Sequence, residues 1–135
     1  MKINIKVGDL SVEAELNDTL TAQKIAKILP FTSSFSTWGE EIYFSIPVTS
    51  ELDESAKEKV ALGDLGYWPT GKAFCIFFGP TPMSGPGEIV PASAVNIVGR
   101  VTGDPKKFLE VMSMDQVTIE MNKFMPQKFY NESNR

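Results

Sequence analysis

The run Ala73-Phe74-Cys75-Ile76-Phe77-Phe78 is apolar at every position, and it decides the fold class of the whole chain. A strand with one face in water alternates polar and apolar residues, whereas this run has no polar face. We therefore expect a strand that is covered on both sides, by the core of a barrel on one side and by a helix on the other. The run is also too short to cross a bilayer.

The segments on either side of this strand predict a hairpin and a long loop. Residues 63–68 form the partner strand, and Trp68-Pro69-Thr70-Gly71 forms the turn, with Pro69 at a position that a type I turn favours. After the strand, residues 79–91 contain three glycines and four prolines, which no regular element accommodates. This segment is therefore expected to be a loop.

Further out, the spacing of apolar residues predicts more strands and two helices. Residues 2–16 alternate as a hairpin around Gly8-Asp9, which places Val7 opposite Leu10. The spacing then becomes helical, with Asn17 or Asp18 as the cap and Pro30 as the stop. A second helix begins at Gly103-Asp104-Pro105 and is expected to bury a stripe of apolar side chains. The helical positions are Ala22, Ile25, Ala26 and Leu29 in the first helix and Phe108, Leu109 and Met112 in the second.

Three more strands complete the predicted fold, over residues 41–47, 93–101 and 117–121. Residues 49–62 are polar and acidic, and predict a long surface connection with at most a short helix around Ala56 and Val60. Many short strands with two helices and no regular strand-helix alternation favour a mainly antiparallel barrel whose open ends are covered by the helices. We expect one domain over residues 1–121, followed by a C-terminal tail, 122–135, that is partly ordered at most.

Composition excludes several classes of function. The chain has 135 residues, a net charge of -4, no histidine and a single cysteine, Cys75. These counts exclude Ser-His-Asp and Cys-His catalysis, Cys/His zinc sites and an internal disulfide. The negative charge disfavours binding to nucleic acid or to an anionic membrane surface. We expect a cytoplasmic protein without a metal or cofactor, and the sequence leaves its oligomeric state open.

Three motifs together resemble the small prokaryotic cyclophilin-like family, and the match runs from the first hairpin to the last strand. They lie at Gly63–Gly71, Ile76–Pro82 and Asn96–Val101, and the segment Trp38–Phe44 fits as well. The resemblance implies a mainly β fold, namely a closed, mostly antiparallel eight-stranded barrel capped by two helices. The catalytic arginine and glutamine of true cyclophilins map onto no residue of Tyr43–Pro47 or Gly66–Pro69.

Four patterns favour structural interpretations over chemical ones. Gly66, Gly71 and Lys72 have the spacing of a phosphate-binding loop, but Ala73 stands where a serine or threonine would ligate magnesium, and a strand follows instead of a helix. Glu40 and Glu41 are neighbours on a strand, so at most one can face a pocket. The acidic cluster Glu51, Asp53 and Glu54 lacks the spacing of a calcium loop. Cys75 is expected to be a buried, inert thiol.

The remaining candidates form a binding site or part of the core. Tyr43, Tyr67 and Trp68 either pack in the barrel or, beside the loop Pro80-Thr81-Pro82, line an aromatic groove. Arg100 is either a surface ion-pair partner or the cation of that groove. No catalytic residue is assigned.

These candidates favour a module that binds a small molecule or an extended peptide segment. The alternatives are a prolyl isomerase of low activity, with Arg100 as its donor, and an accessory subunit of an amide-hydrolysing complex, which rests on fold analogy.

Overall fold

The computed structural model describes residues 1–122, so the predicted tail lies almost wholly outside the described residues. The strands are β1 (Lys2–Val7), β2 (Leu10–Leu16), β3 (Phe31–Ser34), β4 (Ser36–Thr37), β5 (Glu41–Ser45), β6 (Ala56–Lys57), β7 (Asp64–Trp68), β8 (Ala73–Phe77), β9 (Val95–Val101) and β10 (Gln116–Met121). The helices are α1 (Leu20–Lys27) and two 3₁₀ helices, Pro69–Gly71 and Pro105–Val111. The boundary of a single domain at residue 121 stays a prediction.

All strand pairs of this part of the chain are antiparallel, as predicted, but the predicted closed barrel of eight strands is wrong. The described residues form one sheet of ten strands in the order β3-β10-β1-β2-β9-β7-β8-β5-β4, with β6 paired to β9. The strands β3 and β4 lie at opposite ends of this order, yet only Phe35 separates them in the chain. The sheet must therefore curl until its ends meet, although no ladder of hydrogen bonds joins them within residues 1–122.

Aromatic packing stabilises the seam between the two ends of the sheet. The rings of Phe31 on β3 and Phe44 on β5 are stacked with their centres 6.4 Å apart, and Phe44 stacks in turn on Phe74 of β8 at 5.5 Å. These rings belong to the main core, which also contains the inward residues of β1, β2, β9 and β10. The seam is thus held by side chains where the backbone makes no ladder.

The two longer helices begin with side-chain caps. Thr19, not the predicted Asn17 or Asp18, caps α1 by accepting a hydrogen bond from the backbone N–H of Ala22, while Asn17 accepts from Thr19. Asp104 caps the second helix as predicted, although this helix is 3₁₀ rather than α. Phe108 of that helix is buried against Phe78. Both helices therefore add side chains to the core.

Strand β8 is buried on both faces, as its sequence predicts, but no helix within residues 1–122 covers the outer one. Phe74 and Ile76 point into the main core, while Ala73, Cys75 and Phe77 form a second cluster with Val95. Side chains from the segments before β7 and before β9 lie over this cluster, and Val60 and Ile89 pair through an isolated β-bridge. Loops and aromatic side chains thus replace the expected helix.

Two further segments differ from the predictions. Residues 56–57 form the short strand β6, not a short helix, and β3 and β4 occupy a stretch for which the sequence predicts no strand. The first hairpin has the predicted register, with Val7 opposite Leu10. Gly8 has a positive φ of 59°, which the proposed turn requires.

Candidate binding cavity

The candidate site lies on the outer face of the sheet, where β5, β8 and β7 run side by side. Tyr43 of β5 pairs with Cys75 of β8, and Glu41 lies two residues before Tyr43 on the same face. Trp68 at the end of β7 pairs with Ala73. The alternation that sends Ile42 and Phe44 into the core therefore brings an acid, a phenol, an indole and a thiol together outside it.

These side chains border a cavity of about 200 Å³. Its walls are mainly aromatic and aliphatic, and its base lies on the second cluster around Cys75 and Val95. Among the described residues, those that line it are Trp38, Glu41, Tyr43, Trp68, Cys75, Pro91, Ala92 and Val95. An apolar recess with a few polar groups is the usual form of a small-molecule site.

Two local structures hold the tryptophans in place. The indole N–H of Trp68 donates a hydrogen bond to the Ser93 hydroxyl at 2.6 Å, which ties β7 to the segment before β9. The Trp68 ring also lies over Gly71, where a Cβ would be only 2.8 Å from the ring. Trp38 begins a tight turn in which its backbone N–H donates to the Glu41 carbonyl at 2.9 Å. Gly39 in this turn has a φ of 60°.

Glu41 is the acidic group of the cavity and has only 5% of its surface exposed. Burial disfavours the charged carboxylate and raises the pKa of Glu41 to about 7, although a hydrogen bond with the Cys75 thiol opposes this shift. Burial also raises the pKa of Cys75 well above its usual value, and the nearby Glu41 carboxyl adds to that shift. Burial therefore favours the protonated thiol over the thiolate at neutral pH.

Of the predicted site residues, the structure brings Tyr43 and Trp68 together in the cavity. Tyr67 does not join them, because it points to the opposite face, is fully buried in the main core and donates a hydrogen bond to the Val48 carbonyl at 2.6 Å. Its inclusion in an aromatic groove is wrong. The core interpretation of this residue holds.

The loop Pro80-Thr81-Pro82 lies beside the turn at Gly39 and does not line the cavity. The backbone N–H of Glu40 donates to the Pro80 carbonyl at 2.9 Å, and a Cβ on Gly39 would meet the Thr81 Cα at 2.7 Å. Thr81 is buried, and its hydroxyl donates to the Val90 carbonyl, so it is not free to contact a ligand. Pro80 and Pro82 are exposed. This loop supports the turn that carries Trp38.

Arg100 lies in a different concavity and not in the aromatic one. Its neighbours there include Glu15 and Asp64, which face it across β2 and β7. The expectation that Tyr43, Trp68, Thr81 and Arg100 border one groove is therefore wrong for Thr81 and Arg100. Arg100 is exposed among acidic side chains, which favours the surface interpretation.

Sequence reasoning missed two important residues of the cavity, Trp38 and Glu41. Glu41 and Tyr43 are two apart on one strand, so the face chosen for Tyr43 necessarily includes Glu41. That signal was present in the sequence. Trp38 gave no such signal, because its position depends on how the turn at Gly39 folds back on the sheet.

Within residues 1–122, no helix is long and apolar enough to cross a membrane. The same part of the chain contains no group of three or more acidic or cysteine side chains placed to hold a metal ion.

The curled antiparallel sheet and its two longer helices agree with the family that the sequence motifs resemble. The chain belongs to the cyclophilin-like family, whose model, described as Cyclophilin-like, matches residues 1–120. No curated protein matches it.

Solved structures similar to this chain include the following two. The solution structure of the hypothetical protein AF2241 from Archaeoglobus fulgidus is 38% identical, with 90% of this chain and 95% of that chain covered and a TM-score of 0.73. The structure of McbB in complex with tryptophan is 15% identical and has a TM-score of 0.68. That match covers 92% of this chain but 46% of McbB, so the chain spans about half the length of McbB and shares its fold alone.

Proposed function

We propose that this chain is a small-molecule-binding protein and that its site is the cavity between Trp38, Tyr43 and Trp68. The observation that carries the proposal is the combination of three aromatic walls with one buried carboxyl in a surface recess of about 200 Å³. A protein that only needed to cover β8 would fill this volume with side chains, since interiors are closely packed. An unfilled aromatic recess is what a binding site requires.

The size of the recess favours a compact ligand over an extended peptide. One water molecule takes up about 30 Å³ of liquid, so the volume corresponds to roughly seven waters and suits a single ring with a short substituent. McbB, which shares the fold, was solved in complex with tryptophan. That neighbour supports a small organic molecule as the class of ligand.

The other two functions have less support. A prolyl isomerase needs a positioned donor near the prolyl nitrogen, and no arginine, lysine, glutamine or asparagine within residues 1–122 lines the cavity. The role of an accessory subunit in an amide-hydrolysing complex rests on fold analogy, to which the described contacts add nothing.

The two tryptophans of the chain make the proposal directly testable. Both line the cavity, so a ¹⁵N-labelled sample has two indole N–H resonances that report on it. We expect titration with indole to shift both resonances in a saturable way. Ala92 is an exposed residue of the lining, and Ala92→Phe should fill the recess and abolish the shifts.

Ala61→Phe is the matched control, because Ala61 is equally exposed but does not line the cavity. It should leave the titration unchanged. Binding that survives Ala92→Phe, or two indole resonances that do not respond to indole, would contradict the proposed site.

A further inference from the structure

We propose that the cavity is selective for a compact organic cation, in which a protonated amine meets the Glu41 carboxyl while an attached ring or short chain contacts Trp38, Tyr43 and Trp68. This inference rests on the proposed function and adds the chemical class of the ligand. The described residues that line the recess supply a carboxyl but no positive charge.

Glu41 has no cationic partner in the described part of the chain. The ion pairs found within residues 1–122 join Lys6 to Glu120, Lys59 to Glu88, Lys106 to Glu40 and Lys107 to Glu110. None of them includes Glu41, and no lysine or arginine among the described residues lines the cavity. A nearly buried carboxyl without a counter-ion is costly to ionise, so a ligand that supplies the positive charge gains from it.

The neighbouring carboxyl, Glu40, shows how the fold treats an acid that has a structural role. Glu40 immediately precedes β5, and its side chain lies over Gly79 and within 3.9 Å of the Lys106 ammonium. Glu40 is therefore paired within the fold, whereas Glu41 faces an open recess. This contrast between two adjacent residues is what points to a ligand at Glu41.

The walls of the recess favour the same class of ligand. Aromatic rings attract cations through the negative potential of their faces, and three aromatic side chains line the same cavity as the carboxyl. An anionic ligand would meet the Glu41 carboxylate and these ring faces without any compensating cation. A neutral ligand would gain the apolar contact but not the charge pairing.

Binding of an amine should also depend on pH. The groups that face Glu41 are the Cys75 thiol from β8 and the Tyr43 phenol from β5, whereas Trp38, Trp68, Pro91, Ala92 and Val95 bring no titratable group. The pKa of Glu41, about 7, means that much of it is protonated at pH 6. A bound ammonium favours the carboxylate, so binding should strengthen from pH 6 to pH 8 and release a proton.

Three compounds of nearly equal size separate the possibilities: benzylamine, benzyl alcohol and benzoate. By titration calorimetry at pH 8, we expect benzylamine to bind at least about tenfold more tightly than benzyl alcohol, the factor that a charged hydrogen bond typically provides. Benzoate should bind most weakly. In Glu41→Gln the preference for benzylamine over benzyl alcohol should disappear, whereas Glu40→Gln, at the adjacent carboxyl outside the cavity, should keep the preference.

The outcomes distinguish this inference from the proposed function. If benzyl alcohol or benzoate binds the native protein as tightly as benzylamine, the ligand class is wrong but the cavity is still a binding site. If none of the three binds at millimolar concentration, both proposals fail. Should Glu41→Gln not fold, the native protein alone decides, because benzylamine affinity that is unchanged between pH 6 and pH 8 overturns the role of Glu41.

Discussion

The fold places the carboxyl of Glu41 where its charge is unfavourable, and this has a measurable effect on stability. Burial raises the pKa of Glu41 from 4.5 to about 7, so between these values the folded state binds more protons than the unfolded chain. The stabilisation that comes from keeping the Glu41 carboxyl protonated in the fold is complete below pH 4.5 and is lost as the pH rises through 7. At 1.36 kcal/mol per pKa unit, the loss is about 3 kcal/mol.

The prediction is that Glu41→Gln removes this loss. Measured by urea denaturation, the free energy of unfolding of the native protein should fall by about 3 kcal/mol relative to the variant between pH 4 and pH 8. Glu13→Gln on the exposed face of β2 is the control, and it should keep the native profile because Glu41 is still present. Parallel profiles for the native protein and Glu41→Gln would show that Glu41 is not buried as described.

Gly39 controls the turn that carries Trp38. The cost of replacing it has two parts, one from its left-handed backbone conformation and one from the close contact with the loop at Thr81. A Cβ at this position would lie 2.7 Å from the Thr81 Cα and 2.8 Å from the Pro80 carbonyl oxygen, both of them backbone atoms. Gly87 has a similar positive φ of 72° but no neighbour within 4 Å of a Cβ. Gly87→Ala therefore reports the cost of the left-handed conformation alone, roughly 1–2 kcal/mol.

Gly39→Ala should destabilise the protein by about 1–3 kcal/mol more than Gly87→Ala, because the loop at Thr81 must move. Chemical denaturation of both variants gives this difference. Equal costs would mean that the loop does not pack on the turn.

At the level of elements, β8 is the strand whose two faces build two different clusters. Ile76 is fully buried in the main core and Phe77 is fully buried in the outer cluster beneath the cavity. Ile76→Ala and Phe77→Ala should each cost roughly 2–5 kcal/mol of stability, whereas Glu13→Gln should cost under about 0.5 kcal/mol. Unchanged melting temperatures in both alanine variants would contradict the burial of this strand.

Strands with strong alternation could be predicted from the sequence, and weakly patterned ones could not. The spacing of Ile3, Ile5 and Val7 and the turn at Gly8 were sufficient for the first hairpin and its register. In contrast, β3 reads Phe-Thr-Ser-Ser and has few apolar residues, so only its pairing with β10 makes it a strand. The same holds for β6, which is two residues long and depends on β9.

At the scale of the whole molecule, the sequence predicted the fold class but not how the sheet ends. The ends of the sheet meet through side chains such as Phe31 and Phe44, without a hydrogen-bonded ladder between them in the described residues, and no local pattern reveals this contact. The candidate site, too, was predictable only in part. Alternation places Tyr43 on an outer face, but the separation of Arg100 from Trp68 is a property of the curled sheet as a whole.

The distribution of polar groups over the molecule predicts little prolyl isomerase activity. The peptide bond has a rotational barrier of about 18–20 kcal/mol, and lowering it requires a positioned donor that stabilises the twisted amide. Arg100, the one donor that the sequence suggested, lies in another concavity with Glu15 and Asp64. The polar groups that the described residues offer to the aromatic cavity are a carboxyl, a phenol, two indole N–H groups and a protonated thiol, and none of them is a cationic donor. In a protease-coupled assay with a Xaa-Pro peptide, turnover should therefore be orders of magnitude below that of a true cyclophilin, and Arg100→Ala should leave any residual rate unchanged. Turnover comparable to a true cyclophilin, or a residual rate that Arg100→Ala abolishes, would show that a catalytic donor reaches the substrate from outside the cavity.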